Sequence, residues 1–121
     1  MQTKIDPQKN NPGKLSVRTS KGKEFFLPGQ IVRLEAKSNY TRIYFTNRFS
    51  LVTARVLKDF ELLLIPLGFV RTHRSHLLNK QYILQVLSNG TIIMIDNSTA
   101  EISKRRKAAV LRSLQVLTVR A

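Results

Sequence analysis

The segment from Phe69 to Asn79 constrains the fold of this chain more than any other. Phe69-Val70 begin it and Leu77-Leu78 precede its last residue, but its middle is polar and basic. Because side chains alternate between the two faces of a strand, Arg71 and Arg74 would point to opposite faces. Polar groups on both faces are unfavourable to bury. The segment is therefore predicted to leave the core in its middle and to present donors that suit phosphate oxygens and base edges.

Short apolar runs separated by turn residues predict a fold that is mainly β, with two helices. Asn89-Gly90 is a strong hairpin signal, because both residues tolerate a positive φ. The predicted strands cover residues 15–19, 24–27, 30–36, 41–45, 48–52, 69–72, 83–87, 91–95 and 99–102.

Two segments have a helical apolar period. The first follows Thr53, its predicted N-cap, and ends at Pro66. Its apolar residues recur at spacings of three and four, and they are Val56, Leu57, Phe60, Leu63 and Leu64. The second runs over about residues 104–117 with Ser103 as N-cap, and it is predicted to bury Val110, Leu111, Leu114 and Leu117.

Length and composition predict one domain preceded by an arm. Residues 1–13 are polar and contain Pro7, Pro12 and Gly13, which is typical of a flexible arm or linker, and residues 14–121 form the domain. The chain has 121 residues, 42% of them hydrophobic, and no cysteine. Disulfides and thiolate metal sites are therefore excluded. With no signal peptide and no long apolar run in the sequence, a cytoplasmic protein is expected.

The charge is strongly one-sided. There are 21 Lys and Arg residues against 7 Asp and Glu residues, which gives a formal net charge of +14 and a sequence pI near 11.0. Such a protein attracts polyanions. Nucleic acid is the first expected partner and an anionic membrane surface the second.

Basic residues cluster in a first predicted loop, between two strands. Asn39 suits an adenine edge, and Lys37 and Arg42 suit phosphates. Tyr40 suits stacking or hydrogen bonding. The alternative is an ordinary solvated loop in which Asn39 adopts a turn conformation.

The second basic cluster is Arg71–His76, where Arg74 is the predicted base or phosphate contact. A metal site at His73 and His76 is the competing interpretation. Two histidines without a cysteine or a nearby carboxylate do not complete a ligand set. A further alternative is that one histidine satisfies a buried backbone group.

The third cluster, Ser103–Lys107, lies at the start of the second predicted helix. Cations in the first turn oppose the helix dipole, so this arrangement is unfavourable for stability. It favours phosphate binding, because the free N–H groups add to the side-chain charge. The alternative is a solvated charge run.

Four segments in this order resemble the LytTR-type DNA-binding domain. They are residues 31–45, 57–61, 68–80 with Tyr82-Ile83, and 101–107, and the resemblance covers about residues 14–117. It implies a LytTR-type fold of about ten short strands in small antiparallel sheets, with one mid-chain helix and one C-terminal helix. It also implies a bacterial transcription regulator that inserts loops into the grooves of double-stranded DNA.

The resemblance assigns roles to residues. Carried over by position, the base and groove contacts fall on Asn39, Tyr40, Thr41, Arg74 and Arg105. The charge pattern adds phosphate contacts at Lys37, Arg42, Arg71, Lys104, Arg106 and Lys107. Typical family sites are imperfect direct repeats bound by two copies of the domain, and half-sites one helical turn apart would allow this.

Many family members are response regulators of two-component signalling and carry an N-terminal receiver domain. The 121 residues leave no room for one, so the chain is expected to be either a stand-alone regulator or a piece that follows a receiver or sensor module. No cofactor, metal, small-molecule substrate or membrane partner is expected.

Three other function classes would use different parts of the sequence. A basic RNA-binding module would stack bases on Tyr44, Phe45 and Phe49, although apolar strands usually bury such residues. An enzyme would have to use Ser75 with a histidine, without a nucleophile elbow or a carboxylate pair. A membrane-surface adaptor would use the last helix, which has no Trp or Phe.

Overall fold

The structure, a computed structural model, describes residues 13–114. Its strands are β1 (Leu15–Thr19), β2 (Gly22–Phe26), β3 (Ile31–Lys37), β4 (Tyr40–Phe45), β5 (Leu51–Thr53), β6 (Phe69–His73), β7 (His76–Asn79), β8 (Ile83–Val86), β9 (Thr91–Met94) and β10 (Thr99–Glu101). The α-helices are α1 (Leu57–Leu64) and α2 (Lys107–Leu114), and short 3₁₀ helices cover Pro28–Gln30, Ile65–Leu67, Lys80–Tyr82 and Lys104–Arg106.

The strands form three antiparallel sheets. The central sheet has the order β5-β4-β3-β7-β6, a second sheet has the order β10-β9-β8, and β1 and β2 form a separate hairpin. The predicted fold of short strands in small antiparallel sheets, with one mid-chain and one late helix, is confirmed. The predicted Asn89-Gly90 turn is confirmed as well, with Gly90 at a φ of 91°.

The central sheet has a hydrophobic core on each face. One core joins it to the β1–β2 hairpin and α1, and contains Leu15, Val17, Phe26, Ile31, Leu34, Ile43, Phe45, Leu57, Phe60, Leu64, Phe69 and Leu77. The other joins it to the three-stranded sheet and α2, and contains Val32, Val70, Leu78, Ile92, Met94, Ala100 and Val110. Covering both faces leaves the ends of the strands as the free surface of this sheet.

The segment from Phe69 to Asn79 is a tight hairpin of two strands, of which β7 was missed by the sequence prediction. Leu77 packs in one core and Leu78 in the other, so β7 is buried on both faces and lacks an alternating pattern. A β-bulge between Arg71 and His73 shifts the register. The chain leaves the core only at the Arg74-Ser75 turn.

Two details of the first helix differ from the prediction. Thr53 is not its N-cap, because it lies in β5 and its hydroxyl donates to the Arg18 carbonyl oxygen over 3.0 Å. The N-cap is Val56, which has no side-chain capping bond. Val56 and Leu63 are exposed rather than buried.

The second predicted helix begins as a 3₁₀ turn and becomes α-helical only at Lys107. Ser103 is the N-cap residue of that turn, but its side chain makes no capping bond. Val110 is buried as predicted, whereas Leu111 is exposed. Leu117 and most of the predicted arm, residues 1–12, lie outside the described residues.

Candidate nucleic-acid interface

The turns that contain Asn39 and Arg74 lie at the same end of the central sheet. Strands β3 and β7 are antiparallel neighbours, with Glu35 opposite His76. Just beyond this pair, the Ala36 N–H donates to the Ser75 carbonyl oxygen over 2.9 Å. The β3–β4 turn and the β6–β7 turn are therefore side by side.

The third basic segment joins them at the outer side of β6. The Ser103 N–H donates to the Thr72 carbonyl oxygen over 2.8 Å. Thr72 is two residues before Arg74, so the 3₁₀ turn Lys104–Arg106 begins beside the β6–β7 turn. The three clusters predicted from the sequence thus meet at one end of the sheet. We call this end the basic edge, and it comprises residues 37–40, 74–75 and 104–107.

The β3–β4 turn presents most of its predicted residues to solvent. Lys37 pairs with Tyr40, so only Ser38 and Asn39 form the turn, and Ser38 has a φ of 57°. A non-glycine residue in this region is uncommon and indicates a tightly specified turn. Lys37, Asn39 and Tyr40 are exposed.

The two residues that follow are held by the fold. Thr41 is 0% exposed, and its hydroxyl donates to the Arg55 carbonyl oxygen over 2.7 Å. The Thr41 side chain presents no surface to solvent, and the groove contact carried over to this position stays a prediction. Arg42 is half-buried and donates to Ser50 Oγ over 2.8 Å.

Arg71 stabilises the β6–β7 turn through its side-chain bonds. Its side chain is 12% exposed and forms an ion pair of 2.5 Å with Glu61 of α1. Its Nε donates to the His73 carbonyl oxygen over 2.9 Å and its Nη2 to the Arg74 carbonyl oxygen over 2.5 Å. The predicted phosphate contact at Arg71 therefore has to compete with three acceptors inside the protein.

Most cationic side chains of the β6–β7 turn and of the third basic segment are exposed to solvent. Arg74, Lys104, Arg105 and Lys107 are exposed, and Arg106 is half-buried. Among the described residues, none of their side chains has an ion pair or hydrogen bond. The Lys104–Arg106 turn has no acidic residue.

Most carboxylates of the described residues are paired with arginines outside the basic edge. Four of them pair with arginines: Glu24 with Arg48, Glu35 with Arg33, Asp59 with Arg55, and Glu61 with Arg71. The exposed cations of the basic edge have no acidic partner among the described residues, so this edge attracts anions.

A hydrogen bond joins two strands that lie next to the basic edge. His76 Nε2 of β7 lies 3.0 Å from Glu101 Oε1 of β10. Burial lowers the pKa of His76, although the hydrogen bond to the Glu101 carboxylate and the charge of Glu35 oppose this. The same hydrogen bond lowers the pKa of Glu101. A neutral His76 that donates to an ionised Glu101 agrees with the lowered pKa of each residue. The sequence prediction missed this contact, because its partners are far apart in the chain.

Two of the three aromatic side chains considered for stacking RNA bases are already packed within the described residues. Phe45 is buried edge-on against Phe26, and the Tyr44 ring lies under the Arg33 guanidinium at 3.9 Å. Phe49, expected in the core, is 93% exposed in the connection between β4 and β5. Within residues 13–114, there is no group of three potential metal ligands and no helix long and apolar enough to span a membrane.

Comparisons with known proteins agree with this architecture. The family described as the LytTr DNA-binding domain matches residues 5–115. A solved structure described as the LytTr DNA-binding domain of a methyl-accepting/DNA response regulator from Bacillus cereus superposes with a TM-score of 0.73. It is 21% identical, and the alignment covers 86% of this chain and 98% of that one. No curated protein sequence gives a significant match.

Proposed function

This chain belongs to the LytTr DNA-binding domain family, a family of DNA-binding transcription regulators, and we propose that it recognises double-stranded DNA sequence-specifically through the basic edge. The observation that carries the proposal is the convergence of three separate basic segments at one end of the central sheet. Their cations have no partners among the described residues, so they are available for phosphates and base edges.

Each segment has a proposed role in the grooves. Asn39 forms a bidentate contact with adenine, while Arg74 and Arg105 contact guanine or the groove floor. Tyr40 packs beside Asn39. The surrounding cations neutralise phosphates and fix the orientation of the duplex, and they are Lys37, Arg42, Lys104, Arg106 and Lys107.

Arg71 enters the proposal as a positioning residue. Its bonds to the His73 and Arg74 carbonyl oxygens fix the backbone from which the Arg74 side chain extends. A turn that is ordered before binding loses less conformational freedom on binding, and this favours affinity.

The duplex crosses the strand ends in this proposal. Neighbouring strands are about 4.8 Å apart, so the five strands of the central sheet extend over about 19 Å, or roughly six base pairs of B-DNA. A single copy therefore contacts a short site. Two copies on direct repeats one helical turn apart would provide a longer one, and an upstream receiver or sensor module would regulate their binding.

Selection from a random duplex library, at near-physiological salt and with excess competitor DNA, tests the proposal. We expect enrichment of a short motif, with Arg74→Ala and Arg105→Ala each relaxing the preference at particular positions. Lys80→Ala is the matched control, because Lys80 follows β7 at the opposite end of the sheet. Binding without any enriched motif would leave only non-specific electrostatic attraction and contradict sequence recognition.

A further inference from the structure

The β1–β2 turn lies at the same end of the molecule as the basic edge. The Arg18 carbonyl oxygen of β1 accepts a bond from the Thr53 hydroxyl, and Thr53 is the register partner of Thr41 in β4. An open groove of about 500 Å³ is bordered by Ser20 on one side and Tyr40 on the other. The chain turns at Ser20 and Lys21, beside β5 and on the far side of Asn39 from Arg74.

This turn concentrates positive charge at some expense to stability. Arg18 and Lys23 are directly opposite in the hairpin register, and both are exposed. Like charges in opposite positions destabilise a strand pair. Lys21 adds a third exposed cation between them. Among the described residues, none of the three has an ion pair.

The acidic groups around this turn do not offset that charge. Glu24 of β2 is paired with Arg48 at 3.0 Å, and Asp59 of α1 is paired with Arg55 at 3.2 Å. The Thr19 hydroxyl accepts the Lys21 N–H, which orders the turn. The result is an ordered, uncompensated positive turn, of which Arg18, Thr19 and Ser20 border the groove beside Tyr40.

We propose that the β1–β2 turn is a fourth DNA-contacting segment, in which Arg18, Lys21 and Lys23 bind phosphates that flank the recognised bases. The inference rests on the proposed function and adds DNA contacts on one side of the basic edge. The order of elements from β10 to β6, β3 and β5 places Arg105, Arg74, Asn39 and the β1–β2 turn in sequence across the end of the sheet. The flanking phosphates therefore lie beyond the bases that Asn39 recognises and away from those that Arg105 recognises.

Binding of truncated duplexes tests this geometry. The probe is a labelled duplex that carries the motif enriched by selection and extends about 10 bp beyond it at each end. Arg105→Ala and Asn39→Ala first identify the two ends of the motif by the positions at which preference is lost. Duplexes are then truncated at one end or the other, and their affinities for the wild-type chain and for Lys21→Ala/Lys23→Ala are compared.

We expect the double variant to bind the long duplex several-fold more weakly, with a salt slope lower by about 1.8, or about 0.9 for each lost phosphate contact. The difference from the wild-type chain should vanish when the duplex is truncated on the Asn39 side, and should persist when it is truncated on the Arg105 side. Lys80→Ala should resemble the wild-type chain on all three duplexes.

Two results would overturn the fourth contact. One is an affinity of the double variant equal to that of the wild-type chain on the long duplex. The other is an equal loss on all duplexes, which would indicate a general effect of net charge. If Arg105→Ala still relaxes specificity in the same experiments, the proposed function stands without the fourth contact. If Arg74→Ala and Arg105→Ala also leave specificity unchanged, the proposed function itself fails.

Discussion

Arg71 lies in β6 and Arg105 in the 3₁₀ turn that begins beside the end of this strand, and the two guanidinium groups have different surroundings. Arg71 is nearly buried and donates to Glu61 and to two backbone carbonyl oxygens of its own hairpin. Arg105 is exposed and has no ion pair among the described residues. The two arginines therefore differ in use: Arg71 is bonded inside the protein and orders a turn, whereas Arg105 is exposed to solvent.

The largest expected effect is a loss of stability in Arg71→Ala. The substitution leaves the Glu61 carboxylate and two carbonyl oxygens without their donor. Hydrogen bonds to charged groups contribute about 1.5–3 kcal/mol, so we expect the free energy of unfolding to fall by about 2–3 kcal/mol. Urea denaturation measures this. Arg71→Lys should recover only part of the loss, because an ammonium group cannot supply the planar set of donors that an arginine does.

Arg105→Ala in the same measurement should change the free energy of unfolding by less than about 0.5 kcal/mol, as is usual for exposed positions. A large loss of stability in Arg105→Ala, or none in Arg71→Ala, would remove the distinction between the two arginines.

For sequence-specific DNA binding, we expect a direct loss in Arg105→Ala, the variant with the smaller expected effect on stability. If Arg105 is bidentate to a base, Arg105→Ala weakens binding to the selected site by about 1–3 kcal/mol and binding to random duplex much less. Arg74→Ala should behave in the same way at a different base position. The ratio of the two affinities, measured by competition at fixed salt, is the readout. An unchanged ratio in Arg105→Ala would show that this side chain does not contact a base.

Lys107→Ala is expected to have a smaller and less selective effect. Lys107 is exposed at the first residue of α2, where a phosphate contact supplies affinity without sequence information. All duplexes should bind more weakly by a similar factor, and the salt slope should fall by about 0.9. A titration over salt concentration, with selected and random duplexes in parallel, separates this outcome from a change in specificity.

The sequence was sufficient to predict the strand-rich architecture and the exposed members of the basic edge. Alternation, turn residues and charge are local properties, and Asn39, Arg74 and Arg105 lie in turns or at an element boundary, where local properties dominate. The strand β7 was missed because Leu77 and Leu78 are buried on opposite faces, which removes the alternating pattern.

The roles of Arg71 and Thr41 could not be predicted, because their partners are distant in sequence. Arg71 binds Glu61 of α1, ten residues earlier, and Thr41 binds the carbonyl oxygen of Arg55, fourteen residues later. The β-bulge after Arg71 also changes which side chains face the core. An arginine with an internal partner and one without are identical in a sequence, so only the packed structure distinguishes them.

The contact between His76 and Glu101 connects β7, which follows the β6–β7 turn, with β10, which precedes the Lys104–Arg106 turn. Its pH dependence is the smallest effect we predict. Burial holds the pKa of His76 below its ordinary value of 6.5, and the buried Nδ1 has no partner among the described residues, so a second proton there has no acceptor. The unfolded chain therefore binds a proton at this residue before the folded chain does. The stability that His76 contributes is fully present above about pH 7. It decreases as the pH falls through the ordinary pKa of histidine towards the lowered pKa of the folded state.

Urea denaturation between about pH 7.5 and pH 5.5 should show this decrease in the wild-type chain. In His76→Gln, which keeps a donor for Glu101 but does not titrate, the decrease should be smaller. An equal decrease in both chains would mean that other groups cause the pH dependence. The contact between β7 and β10 would then not be sensitive to pH.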